Sequence, residues 1–359
     1  MQIQTEPIGS IPRPAELLEG LKAFAAGNIG TAELERLSRQ ALQDTIRRLE
    51  ETGSPVISDG EQTKPSFATY PISGMQHLDP NGVIIPFADG HTRQLPKLTA
   101  GPFRYQLHAA DFLRTARSLT NFPVKQAVIS ASALSLLYPS EGIEGYSHEA
   151  FINDLLDEQE RDIRDCLAAG AHNVQIDFTE ARLSLKLDNS KGLLRSFIAL
   201  NNRVLDRFTD AEREKIGVHS CPGGDHDSTH SADIAYGELL PLLFELKATN
   251  FYLQYASEKN KRKVLEVLKE VLRPGQRVFI GVTNVLDPRV ESPEEVRDSI
   301  LEAAEYIPVS QLGTTDDCGF SPFADDVSTS REIAFAKIRA RIEGTQLAER
   351  SIGKKQMAV

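Results

Sequence analysis

The sequence holds no tryptophan and only three cysteines, Cys166, Cys221 and Cys318, in 359 residues. Three cysteines cannot make a disulfide framework, so in a reducing compartment they are free thiols or metal ligands. Positive charge is also short: 40 lysines and arginines face 51 aspartates and glutamates, a formal net charge of -11. That balance argues against a nucleic-acid partner, because phosphate binding draws on clustered lysine and arginine. The basic stretch from Lys259 to Lys263 reads as the solvated start of a helix. No run of about eighteen apolar residues occurs, which argues against a membrane-spanning helix. The opening "MQIQTEPIGSIPRP" has no basic segment leading into an apolar one, so a cytoplasmic protein off the membrane is expected. Low-complexity tracts and repeats of roughly 20 to 50 residues are missing too, which sets aside disordered and solenoid classes.

What is present is a regular alternation of short β-branched runs with longer helical stretches. Strands are expected at 6–11, 55–61, 124–131, 173–179, 215–221, 250–256, 277–283 and 310–316. Helical patterns follow them, among them 147–169, with Ser147 as N-cap and Gly170 as stop, 293–306 and 328–346. Eight consecutive β/α units read most simply as an α/β fold of the (β/α)8 TIM-barrel type, a single domain over residues 1–359. A doubly wound open sheet would want a glycine-rich phosphate loop after its first strand, and "IGSIPRP" is not one. Residues 76–100 break the rhythm: PNG and ADG flank an alternating segment, which predicts a β-hairpin inserted after the second strand. It would serve as a lid or as a contact in a homo-oligomer. Cys166, in "RDCLAAG", falls on the apolar side of a helical pattern and is expected in the core.

Active sites of such barrels form at the C-terminal ends of the strands. Polar residues gather at six predicted ends: Ile8-Gly9-Ser10, Asp59-Gly60-Glu61, Asp177, His219-x-Cys221, Gln254 and Asp316-Asp317-Cys318-Gly319. The densest stretch is "GVHSCPGGDHDSTHSAD", residues 217–233, with three histidines, one cysteine and three aspartates. His219 and Cys221, one residue apart on a strand end, project to the same side. Imidazole and thiolate at that spacing suit Zn2+, and Cys318 would add a third ligand across the barrel mouth. A tetrahedral site then needs a fourth donor or an open position.

Taken in order, "IGSIPRP", "ISDGEQ", "VQIDF", the HxC after a strand and the late "DDCG" resemble the cobalamin-independent methionine synthase family. That family's catalytic barrel uses zinc to activate homocysteine. The similarity runs from Ile8 to about Cys318 and is to the short, single-barrel members, since full-length enzymes carry a further N-terminal barrel. The resemblance implies zinc held by His219, Cys221 and Cys318, a small-molecule thiol substrate and a methyl donor. It also implies that Glu61 and Asp177 bind the substrate ammonium while Ser10 and the Ile8 to Ser10 backbone grip its carboxylate. Paired carboxylates and a glycine-serine turn are chemically apt for those roles.

Four departures bear on the donor and the metal. The family glutamate expected as another zinc ligand aligns with Gln254, which makes the site less anionic; Glu258, His226 or His230 are the other available donors, the two histidines at i, i+4 on an incipient helix. Leu286 stands where the family has a histidine linked to protonation of the leaving group. Phe178-Thr179 replace a glutamate-proline pair, with Glu180 following, and the stretch after Cys221 is longer than expected. Methyltetrahydrofolate is the family's donor, and the loss of the histidine leaves methylcobalamin or another small donor open. Two alternatives differ in class: a zinc-dependent carbon–sulfur lyase resembling epoxyalkane:coenzyme M transferase, and a non-catalytic metal-binding barrel.

Overall fold

The computed structural model describes residues 2–357. Seven strands form one sheet: β1 (Gln4–Thr5), β2 (Gln126–Ile129), β3 (Val174–Asp177), β4 (Ile216–Ser220), β5 (Asn250–Leu253), β6 (Arg277–Gly281) and β7 (Leu312–Thr315). Their spatial order is β1-β7-β6-β5-β4-β3-β2, and every neighbouring pair is parallel. The first and last strands in the chain are neighbours, as a curled half-barrel requires. Every residue of β2, β3, β4 and β5 is buried, which follows from helices covering a parallel sheet.

The second expected strand, at 55–61, is reduced to one parallel bridge between Ile57 and Val124. It is held by Ile57 N donating to Pro123 O at 3.0 Å and Lys125 N to Ile57 O at 2.8 Å. The chain cannot extend it, because Gly60 (φ 63) and Glu61 (φ 54) turn left-handed at once. Asp59 Oδ1 fixes that turn by accepting from Glu61 N at 2.9 Å. The first strand is also shorter and earlier than expected. Glu6 N still donates to Thr314 O at 3.0 Å, and Pro7 then has no N–H to continue the ladder. Beyond it, Ile11 N donates to Gly60 O at 3.0 Å and ties the two segments together.

The helices begin where side-chain caps allow. Ser147 Oγ accepts from Ala150 N to start His148–Ala168, and Ser292 with Glu295 forms a capping box ahead of Pro293–Ala303. The last helix, Arg331–Met357, outruns the expected 328–346. Cys166 is fully buried, as its pattern implied. Residues 76–100 form two short antiparallel pairs, Leu78–Asp79 with Lys97–Leu98 and Ile84–Pro86 with Thr92–Gln94. Among the described residues no helix is long and apolar enough to cross a membrane.

The N-terminal ends of the strands enclose a polar knot. Glu6 accepts from Tyr252 Oη at 2.6 Å and Asn173 Nδ2 at 2.8 Å, and Lys125 Nζ lies 3.5 Å from its Oε2. The opposite end carries the residues the sequence singled out.

Candidate metal centre and adjoining pocket

His219 near the end of β4, Cys221 just after it and Cys318 after β7 converge, all buried, with donor atoms within 4.8 Å of one another. The Cys221 and Cys318 sulfurs are 3.0 Å apart. Their crowding, with burial, pushes the Cys318 thiol well above its usual range. A cation between the sulfurs would reverse that, since a metal holds thiols as thiolates. His219 is already oriented for such a role. Its Nδ1 donates to Tyr252 O at 3.1 Å, which leaves the Nε2 lone pair free, and Nε2 is buried without a hydrogen-bond partner. The Gly223 N–H points at Cys221 Sγ from 3.4 Å, a dipole that favours a thiolate there. The three residues therefore fit a thiophilic divalent metal by donor type and by the orphaned nitrogen.

The residues considered as a fourth donor go elsewhere. Gln254 turns into a separate cavity with Glu258, its Oε1 accepting from Arg182 Nη1 at 3.1 Å and its Nε2 donating to Ser257 Oγ at 2.6 Å. Glu258 pairs with the same guanidinium at 2.7 Å. His226 sits in a different group with Asp225 and Asp326. The helix expected at 226–230 is absent and is corrected to a tight hairpin between Gly224–Asp225 and Ser228–Thr229. His226 and Asp227 both take positive φ there, as a two-residue type I′ turn demands. His230 is buried at the pocket wall, outside the metal-donor group, with Nδ1 2.9 Å from Ser231 Oγ. Among the described residues no fourth histidine, cysteine or carboxylate joins the triad.

A pocket of about 600 Å³ opens beside these donors and is lined by Ile8, Ser10, Glu61, Asp177, His219 and Cys318, among others. Every residue expected to grip an amino acid is therefore in one place. Burial raises the carboxyl pKa of both Glu61 and Asp177, and repulsion from Asp177 and Asp59 adds to the rise at Glu61. Sequence reading missed their counter-ion: Lys64, fully buried, lies 3.1 Å from Glu61 Oε1 and donates to Ala127 O at 2.9 Å. With all three ionised the group sums to one negative charge, matched to one ammonium. The signal was a lysine three residues past Glu61, which reads on sequence as solvated. Asp177 is steadied by Gln175 Nε2 at 2.7 Å. Ser10 Oγ accepts from Ser321 N at 3.2 Å, so its own proton is free to be donated. Gly319 is required beside it, because a Cβ there would lie 2.1 Å from Ser10 Oγ.

Two acids at the end of β7 are structural instead. Asp317 accepts from the backbone N–H of Tyr255, Ala256 and Ser257 at 2.7 to 2.8 Å, and Asp316 from Thr283 Oγ1 at 2.8 Å. The paired segments of 76–100 reach over the pocket. Ile85, Phe87 and Arg93 line it, and Arg93 clasps Asp225 on the 222–230 hairpin (Nε to Oδ2, 2.5 Å) and Asp325 (Nη2 to Oδ1, 2.9 Å). A second cavity, about 1120 Å³, continues from the first through shared walls at Phe67, Ile85, Thr179, His230 and Phe323.

The profile described as "Cobalamin-independent synthase, Catalytic domain" matches residues 3–334. A curated relative named methionine synthase, from Pyrococcus furiosus, is 23% identical over 98% of this chain and 94% of its own length. The 5-methyltetrahydropteroyltriglutamate–homocysteine methyltransferase of Mycolicibacterium paratuberculosis is 24% identical over 91% of this chain and 42% of its own length. Among solved structures, a B12-independent methionine synthase from Shewanella sp. W3-18-1 in complex with selenomethionine superposes with a TM-score of 0.76 at 20% identity, covering 100% of both chains.

Proposed function

Because the chain belongs to the cobalamin-independent synthase catalytic-domain family, we propose that it is a zinc-dependent methyltransferase that methylates a thiol, homocysteine, to give methionine. The carrying observation is that one pocket combines the soft donors His219 and Cys318, with Cys221 in contact behind, and the acids Glu61 and Asp177. A methyl acceptor with both a thiol and an ammonium answers both halves. In this reading residues 1–359 are one (β/α)8 domain, the Ile57 bridge standing for its eighth strand and 76–100 its inserted hairpin.

His219, Cys221 and Cys318 would hold the zinc, which when bound lowers a thiol's pKa and keeps the thiolate in reach of an electrophilic carbon. The protein's own groups do the positioning. Glu61 and Asp177 bind the ammonium, with Lys64 setting the local charge to accept one cation. Ser10 and the Ile8 to Ser10 backbone take the carboxylate. Phe67, Phe87 and Phe323 keep water from the reacting atoms. Methyltetrahydrofolate, methylcobalamin or another small methyl compound in the second cavity would be the donor. The sulfonate-binding lyase fares worse: among the described residues the one lysine or arginine lining the metal pocket is Arg93, already committed to Asp225 and Asp325.

The test is to purify the protein, measure zinc, and incubate it with homocysteine and a panel of methyltetrahydrofolates, methylcobalamin and S-methylmethionine while following methionine. About one zinc per chain is expected, with most of it lost in Cys221→Ser and in Cys318→Ser. Full zinc in both variants, or no methionine from any donor, overturns the reading.

A further inference from the structure

The second cavity contains a buried carboxyl group that none of these roles employs. Glu180 opens the helix Glu180–Leu187, is 7% exposed and lines the cavity. Its Oε1 accepts from Ser130 Oγ at 2.6 Å and from Ser132 Oγ at 2.5 Å. Both hydroxyls are engaged as acceptors as well: Ser130 Oγ takes the Ala133 N–H at 3.0 Å, and Ser132 Oγ takes Asn201 Nδ2 at 2.8 Å. Their protons are thereby directed at Oε1, so a neutral Glu180 carries its proton on Oε2. Oε2 is buried and has no hydrogen-bond partner.

The surroundings favour that neutral acid. Burial raises the Glu180 carboxyl to about 7 against the pull of the two serines, with Asp177 adding to the rise. The other ionisable groups lining the cavity are Arg93 and Asp325, paired with each other, and His230. Burial, Lys186 and Arg182 hold His230 at about 4, so it is uncharged near neutral pH and is no proton source. Ile85, Ile129, Leu134 and Leu183 make the nearby walls apolar, which suits the face of a ring-bearing tertiary amine.

We propose that Glu180 protonates the nitrogen that departs from an N-methyl amine donor held in this cavity. The inference rests on the thiol-methylation reading above. The substrate thiolate forms a C–S bond as the donor's C–N bond breaks, and the electron pair of that bond stays on nitrogen. Nitrogen takes the Oε2 proton, Glu180 regains one from solvent, and the proton the thiol gave up is released. Thiol and N-methyl amine thus become thioether and N–H amine, with no change of oxidation state.

The experiment compares the wild-type holoenzyme with Glu180→Gln using homocysteine and two donors. Methyltetrahydrofolate leaves as an amine that needs a proton; S-methylmethionine leaves as a neutral thioether that does not. With the amine, kcat should fall about 100-fold, and at least tenfold more than with the sulfonium, at unchanged zinc content and melting temperature. The wild-type amine rate should decline as pH rises past about 7, where the acid loses its proton, and the variant should lack that decline. Infrared spectra of the metal-free protein should show a buried protonated carboxyl band below that pH, missing from Glu180→Gln. Equal losses with both donors, an unchanged amine rate, no such band, or wild-type transfer from the sulfonium alone would overturn this inference. Failure of the wild type with every donor would overturn the methyltransferase reading along with it.

Discussion

Glu61 sits at φ 54, a left-handed conformation that costs a non-glycine residue on the order of 1 to 2 kcal/mol. Arg13 holds it there, donating from Nη2 to the carbonyls of Glu61 at 2.7 Å and Lys64 at 2.9 Å. From this turn Glu61 lines the pocket. On the proposed chemistry, Asp177→Asn should raise KM for homocysteine about 10- to 100-fold, with zinc retained and kcat changed less. Glu61→Gln should do the same and also lower stability, because it strands Lys64 in the interior without its partner. Steady-state kinetics with zinc analysis and thermal melts separates the two. At this scale the sequence was readable where a residue acts through its own type, as with His219 and Cys221. It was silent where the role depends on burial that the surrounding fold imposes, as with Lys64 and Glu180.

The short pairs of 76–100 and the 222–230 hairpin are joined by few groups. Arg93 spans them with Asp225, and His91 Nε2 adds a contact to Asp225 Oδ2 at 3.1 Å. Asp225 is 1% exposed, so removing the guanidinium leaves a buried carboxylate beside the imidazoles of His91 and, at 3.8 Å, His226. Arg93→Ala should therefore destabilise this cover by about 1 to 3 kcal/mol without unfolding the sheet. Amide hydrogen exchange should quicken in residues 84–94 and 223–230 and stay unchanged in β2 to β7. Uniform protection across both segments would show that the clasp does not hold them. The helix expected at 226–230 does not form. Two histidines at i, i+4 fit a helical period, but Gly223 and Gly224 and the grip on Asp225 fold the stretch back before a turn of helix can form.

Across the whole molecule the two ends of the sheet divide the labour: the C-terminal ends carry the pocket, and the N-terminal ends hold the knot of Glu6, Lys125, Asn173 and Tyr252. Burial alone would raise the Glu6 carboxyl, yet His172, Lys125 and the Tyr252 hydroxyl outweigh it and keep it at about 2. Its folded pKa lies below the unfolded value near 4.5, so the contribution to stability is complete above that pH. It is lost as pH falls from about 4.5 towards 2, and amounts to on the order of 3 kcal/mol. Urea unfolding at stepped pH should show this acid slope in the wild type. Glu6→Gln should be less stable at pH 7 and flatter below 4.5; a slope as steep as the wild type's would place the acid sensitivity elsewhere.

Local pattern alone determined the alternation of strands and helices, the caps at Ser147 and Ser292, the core place of Cys166 and the nearness of His219 and Cys221 at one strand end. These follow from periodicity and hydrogen bonding within a few residues. Tertiary structure decided what spans the chain: Cys318 3.0 Å from Cys221, Gln254 turned to Arg182, and Glu61, Asp177 and Lys64 in one buried group. It also reduced the second strand to a bridge at Ile57, since the turn at Gly60 and Glu61 answers to Arg13 and Ile11 from a distant segment. Contacts between residues far apart in sequence depend on the curl of the sheet, and no short window of sequence encodes that curl.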